Sequence, residues 1–331
     1  METKAKCEKK ILKMLHKVIC IERMNEYLTM LSKFPQMNYD NIFLLLAQLP
    51  NATAVCGKGA WRRYEAEVME GQKPIALFGP VYEEEERDNI ISYDIVAVYD
   101  ISQTRTSDET PNFSVTKKLE KSIEEVIKDV FKISILDDEW KEILPNKIMK
   151  SHYVEDKKAI YLKPGITAAI REKELLKQYA RLCVNRHSIT DFSDAMDYFV
   201  MIVLSKHFGI NHIDDRMHYY DIFRASEEEK INFLHKLSCI VFESVCEISG
   251  KKLLSFNETM FCNLLFTTDD LSDAISKIGV AADMADSKTM HNELCMFLER
   301  VHSMNLETYQ YIRQKKKEKT LFTFPPTNVT R

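Results

Sequence analysis

Apolar residues at Ile11, Leu12, Leu15, Ile19, Ile21, Met24, Leu28 and Leu31 recur mostly at steps of three and four, which predicts an amphipathic helix from Cys7 to Lys33. Pro35 and the polar run Gln36–Asn38 end it. A denser run, Ile42 to Leu49, closed by Pro50 and Asn51, predicts a buried helix of about three turns. Ala54–Cys56 then reads as a short extended segment and Ala60–Met69 as a helix stopped by Gly71. Pro74–Phe78 and Ile95–Ile101 read as two strands around an acidic insert, Glu83–Asp88. These elements make a small α+β module.

The stretch Ser102–Ser114 is polar, carries a proline and reads as a linker. Beyond it the pattern predicts a helix over Lys117–Phe131, a strand at Ile133–Ile135 and a hairpin over Tyr153–Pro164. The hairpin turns at Glu155–Lys158 and returns along Ala159–Leu162. Helical periodicity follows at Ala168–Asn185, Asp191–Phe208 and Glu227–Ile248, and Leu253–Arg313 is mostly helical in pattern. The basic run Lys315–Lys319 leads into a tail. The expected fold class is therefore α+β: a module over 1–105, a linker over 106–116, a mostly helical domain with a short sheet over 117–250, and a helical extension with a basic tail over 251–331.

Composition narrows the class without giving a function. With 331 residues, 45% hydrophobic and 29% charged, the chain is neither disordered nor collagen-like. Eight Gly and nine Pro agree with long helices and few tight turns. A formal net charge of −4 excludes a globally basic nucleic-acid coat. No run of about 18 apolar residues is present to span a membrane, and Met1–Lys10 is charged rather than a signal sequence. Cys7, Cys20, Cys56, Cys183, Cys239, Cys246, Cys262 and Cys295 show no CxxC spacing. They read as buried free thiols in a reducing cytoplasm, which makes the sequons at Asn51, Asn257 and Asn328 meaningless.

Two places carry candidate chemistry. In GKGAWRRYEAEVMEGQK, Trp61 stands beside Arg62 and Arg63 with Lys58 before and Lys73 after. Residues 1–73 hold 12 Lys and Arg against 8 Asp and Glu in a chain that is acidic overall. An aromatic face among cations suits a single-stranded nucleic acid, with bases stacking and phosphates pairing. The same residues also fit a tryptophan that anchors its helix in the core beside solvated arginines. The second place is His207, His212, Asp214, Asp215, His218 and Asp221, which are metal-competent types at spacings that match no ligand frame. His207, at a helix end before Phe208 and Gly209, reads as a helix-terminal partner. No G-x-S-x-G, phosphate loop or H-E-x-x-H occurs.

The run Asn41–Thr53 (NIFLLLAQLPNAT), then Ala60-Trp61, Val68–Ile75 (VMEGQKPI), Pro80 and Tyr93–Thr104 (YDIVAVYDISQT) resembles the N-terminal domain of ArdC/LtrC-like proteins of plasmids, conjugative elements and phages. The resemblance implies single-stranded DNA as a partner, bound through Lys58, Trp61, Arg62, Arg63 and Lys73, and a role in protecting mobile DNA from host restriction. The acidic run Glu83–Glu86 departs from a phosphate-binding surface.

The second half is similar to that family's zincin-type metallopeptidase domain, in which one helix carries H-E-x-x-H and the next supplies a third ligand and ends in H-F-G. Tyr153–Gly165 matches the hairpin and strand. The family's interval then places Lys177, Gln178, Tyr179, Ala180 and Arg181 at the metal motif, with Met196 and Tyr198 at the acidic positions before Lys206-His207-Phe208-Gly209. A protonated lysine and a guanidinium cannot coordinate a cation, and glutamine has no titratable group to act as a base. The expectation is a vestigial active site, with no catalytic residue, metal or cofactor. Lys177 and Arg181 are expected either to pair internally with Asp194 or Asp197 or to bind an anion such as a DNA phosphate.

The functional expectation is a non-catalytic, cytoplasmic DNA-binding protein of a phage or conjugative element that counters host defence. Two rivals differ in class. One is a protein that occupies a basic host defence nuclease through acidic surfaces; the other is a hydrolase with a metal relocated to His207, His212 and His218.

Overall fold

The long N-terminal apolar pattern is cut in two. Helix α1 (Lys4–Val18) stops, and α2 (Met24–Lys33) starts after a turn in which the amide of Cys20 donates to Val18 O at 2.8 Å. The reason is visible in the spacing: the two-residue step from Ile19 to Ile21 cannot keep both residues on one helical face. A single helix over Cys7–Lys33 is thus corrected to two. Helix α3 (Tyr39–Gln48) follows, with the amide of Asn41 donating to the Asn38 side chain.

The structure, a computed structural model, describes residues 3–20, 23–62, 66–82, 90–106, 119, 121–137, 149–210 and 221–250. The acidic insert, most of the expected linker and the extension from 251 onward lie outside these residues. The described chain divides into two compact units: Met1–Ile11 with Leu44–Phe113, and Leu12–Phe43 with Ser114–Gly250.

In the first unit, β1 (Val55–Cys56) leads into α4 (Lys58–Arg62) and β2 (Ala66–Val68). Strands β3 (Ile75–Tyr82) and β4 (Ile90–Asp100) pair antiparallel, Ile75 opposite Val98, and β1 lies along the other side of β4. Strand β5 (Thr104–Thr106) pairs antiparallel with β2, placing Glu67 opposite Arg105. This corrects two expectations. The helix expected over Ala60–Met69 ends early because Ala66 faces in and Glu67 out, the period of a strand. Thr104–Thr106, read as loop from its polarity, has β-branched threonines that fit a ladder.

Three polar side chains hold this unit's backbone together. The amide of Gln48 donates to Ala76 O and accepts from Ala76 N, both at 2.9 Å, so it caps β3 as a neighbouring strand would. Asp100, 1% exposed, accepts from the amides of Thr53 (2.7 Å), Ala54 (3.0 Å) and Ser102 (3.0 Å). Gln103 accepts from Asp100 N and donates to Lys73 O at 2.7 Å.

In the second unit, α5 (Ile123–Phe131) starts at a Ser122/Glu125 capping box. Strands β6 (Ser134–Leu136), β7 (Ser151–Val154) and β8 (Ala159–Leu162) form a sheet of order β6-β8-β7, parallel then antiparallel. The Tyr153–Pro164 hairpin is thereby found with its expected turn. Helices α6 (Ala168–Arg186), α7 (Ser193–Phe208) and α8 (Glu227–Ser249) follow. Thr167 caps α6; Gly209 and Gly250, in the left-handed conformation, end α7 and α8.

Helix α7 is apolar on nearly all sides, with Met196 and Phe199 through Leu204 buried, because it packs against α2, α6 and α8 at once. The far end of α6 is tied to α8 by polar bonds: Tyr179 Oη donates to Glu247 at 2.7 Å and Arg186 pairs with Glu247 at 2.6 Å. The mixed helix and sheet content is that of an α+β protein.

Candidate functional site

Helix α6 brings the expected vestigial positions onto three of its faces. Tyr179 points to α8 and Ala180 is buried. Gln178, 3% exposed, faces the sheet, where its amide nitrogen donates to Ser151 Oγ at 2.8 Å; that hydroxyl in turn donates to Glu174 at 2.6 Å. The Gln178 carbonyl oxygen is buried with no hydrogen-bond partner. Lys177 and Arg181, one turn apart, are exposed.

Across from them, α7 contributes Asp197. Burial pushes its carboxyl up to about 6; Arg181 and Lys177 pull it back, and Asp194 adds to the rise. One of its oxygens is buried and unpartnered. The two cations are therefore close enough to feel Asp197, yet neither forms an ion pair or hydrogen bond among the described residues. Met196 is fully buried in the helical core and Tyr198 is half-buried, its ring 6.0 Å from that of Phe199.

This arrangement does not fit the divalent metal that a zincin-type site implies. The two positions on α6 that the sequence resemblance assigns to metal ligands hold a lysine and an arginine, and the one it assigns to the base holds an amide bonded to Ser151. Among the described residues no three His, Cys, Asp or Glu side chains gather into a metal-holding group. Chemically, the face can repel a cation and attract an anion.

His207 does not face outward as a ligand. It is 2% exposed, with Nδ1 2.7 Å from Ser32 O and its ring edge-on to Phe208 at 4.8 Å, so it joins the end of α7 to α2. Asp221 is exposed at the start of a short 3-10 turn. His212, Asp214, Asp215 and His218 lie outside the described residues.

In the first unit Lys58 and Lys73 are exposed, as a phosphate contact requires. Trp61 is placed otherwise than an open stacking face: it is 0% exposed, and its Nε1 donates to Tyr99 O at 2.8 Å. Ala54 and Ala66 share its core, with Val68 and Ile101 packed against them. The anchoring alternative describes the ring; the side chain of Arg62, the whole of Arg63 and the Glu83–Glu86 run lie outside the described part.

Sequence reasoning passed over Lys173, one turn before Lys177 and on the same side of α6, and it passed over Ser151 and Glu174 as partners of Gln178. The four-residue recurrence Lys173, Lys177, Arg181 was the available signal for the first. Nothing in sequence spacing signals the second, since Ser151 meets Gln178 only through the packing of β7 on α6.

Six cysteines among the described residues are free thiols; Cys7 and Cys183 are buried, whereas Cys239 is exposed and departs from the expected burial. Among the described residues no helix is long and apolar enough to cross a membrane.

No protein-family model and no curated protein matches the sequence. Among solved structures, the chain is similar to the Mn(II)-bound antirestriction protein ArdC of plasmid R388, at 14% identity over 64% of this chain and 83% of that one, with a TM-score of 0.42. The metal-free form of the same protein is similar at 12% identity over 68% and 83%, with a TM-score of 0.35.

Proposed function

We propose that this chain is a non-catalytic binding protein of a mobile genetic element, which holds single-stranded DNA and so counters a host defence such as restriction. The observation that carries the non-catalytic part is the filling of the α6 motif by Lys177, buried Gln178 and Arg181. No lone pair is offered to a metal at the first and last positions, and no side chain at the middle one can take a proton from water.

The DNA-binding part is supported by the motif resemblance and by the exposure of Lys58 and Lys73. With the indole of Trp61 buried, the contact at this place is made to phosphates rather than by stacking on that ring. Binding then depends strongly on salt, because each neutralised phosphate releases counterions.

A titration of the full chain against single-stranded and double-stranded DNA at two salt concentrations tests this reading. Wild type is expected to bind the single strand, more weakly at high salt, and Lys58→Ala/Lys73→Ala to bind it more weakly at low salt. Manganese-dependent, chelator-sensitive cleavage of peptide or DNA by pure protein would overturn the non-catalytic reading. Absence of salt-dependent binding to either DNA would overturn the DNA reading.

A further inference from the structure

The basic residues of α6 differ in how they are used. Arg171 near the start pairs with Glu124 at 2.9 Å and Asp137 at 2.6 Å, and Arg186 at the end pairs with Glu247 at 2.6 Å and Glu243 at 3.7 Å. The three between them, Lys173, Lys177 and Arg181, have no ion pair or hydrogen bond among the described residues. Their four-residue spacing sets them within an arc of about 80° and along about 12 Å of helix axis.

The acidic groups near this stripe, Glu172, Glu174 and Asp197, are half-buried. Glu174 accepts a hydrogen bond from buried Ser151, and Asp197 has one carboxylate oxygen buried. Among the acidic residues of α6 and α7, Asp194 is the exposed one. The outward charge of the stripe is therefore positive in a chain that is acidic overall.

We infer that Lys173, Lys177 and Arg181 form a second phosphate contact, which holds the sugar–phosphate backbone of a nucleic-acid strand against α6. A single phosphate cannot touch cations spread over that length, whereas a polyanion with regularly repeated charges meets all three. Lys177 and Arg181 are exposed and Lys173 is half-buried, and long cationic side chains that reach solvent without a fixed partner are what a sequence-tolerant backbone contact uses. The inference rests on the nucleic-acid-binding reading above and adds to it the residues of the second unit.

The test is fluorescence anisotropy of a labelled single-stranded oligonucleotide with the full chain across a salt series. Three variants are compared with wild type: Lys173→Gln/Lys177→Gln/Arg181→Gln, the charge-keeping Lys177→Arg/Arg181→Lys, and Lys58→Ala/Lys73→Ala. Each phosphate contact on a single strand contributes about 0.7 to the slope of log affinity against log salt. The triple variant should lose about 2 from that slope, while the charge-keeping variant retains the wild-type slope and both keep the wild-type circular dichroism. A wild-type slope in the triple variant, with a reduced slope in Lys58→Ala/Lys73→Ala, overturns this inference and leaves the reading above standing. No salt-dependent binding by wild type overturns both.

Discussion

The amide nitrogen of Gln178 lies 2.8 Å from Ser151 Oγ, joining the middle of α6 to the first residue of β7. The side chain is a strut between helix and sheet, and the hydroxyl it meets passes the bond on to Glu174.

Replacing Gln178 by Glu puts a second carboxyl into this buried chain beside Glu174. Burial and the like charge raise the new group above the usual carboxylate range, so its penalty is small at low pH and grows as pH rises through its folded value. Chemical denaturation of Gln178→Glu should show a loss of about 1–3 kcal/mol at pH 8 that shrinks at pH 5. An equal loss at both pH values would show that the amide's surroundings accept a charge.

Asp197 makes a related prediction with the opposite substitution. Its carboxyl, raised to about 6, binds a proton more tightly folded than unfolded. Its contribution to stability is present below the unfolded value near 4 and is lost as pH rises through about 6. Asp197→Asn should therefore be more stable than wild type at pH 7.5, by roughly 1–2 kcal/mol once partial exposure to solvent is allowed for, with the gap narrowing below about pH 6 and closing below about pH 4. Thermal melts across this range check it.

Trp61 distinguishes an anchor from a stacking platform. Trp61→Phe keeps an aromatic ring but removes the bond to Tyr99 O, at a cost of about 1–2 kcal/mol. DNA affinity, measured well below the melting temperature, should stay within about twofold of wild type, whereas a base-stacking ring would lose more on truncation.

The Asp100 carboxylate serves three backbone amides. Asp100→Ala leaves those at Thr53, Ala54 and Ser102 without their acceptor and should cost about 2–4 kcal/mol. Proteolytic sensitivity between β1 and α4 should rise with it.

The sequence made the helices of the second unit legible because each has a start and a stop signal: Thr167 before α6, Ser226 with Glu229 at α8, and glycines after α7 and α8. It hid the break between α1 and α2, where apolar residues continue across the turn, and it hid β2 and β5, which are only three residues each. The α6 face was half legible. Helical spacing places Lys177 and Arg181 together from sequence alone, but Asp197 comes beside them, and Ser151 beside Gln178, through tertiary packing, which leaves no periodic trace. Trp61 shows the same limit, since an indole among cations looks alike on paper whether it faces water or Tyr99.

Gln48, Asp100 and Gln103 are each spent on tying main chain to main chain. They therefore fix how the polypeptide is laced, not what it touches or transforms. Side chains employed in this way answer to the lacing of the strands, and their presence would be required whatever the surface of the molecule came to do.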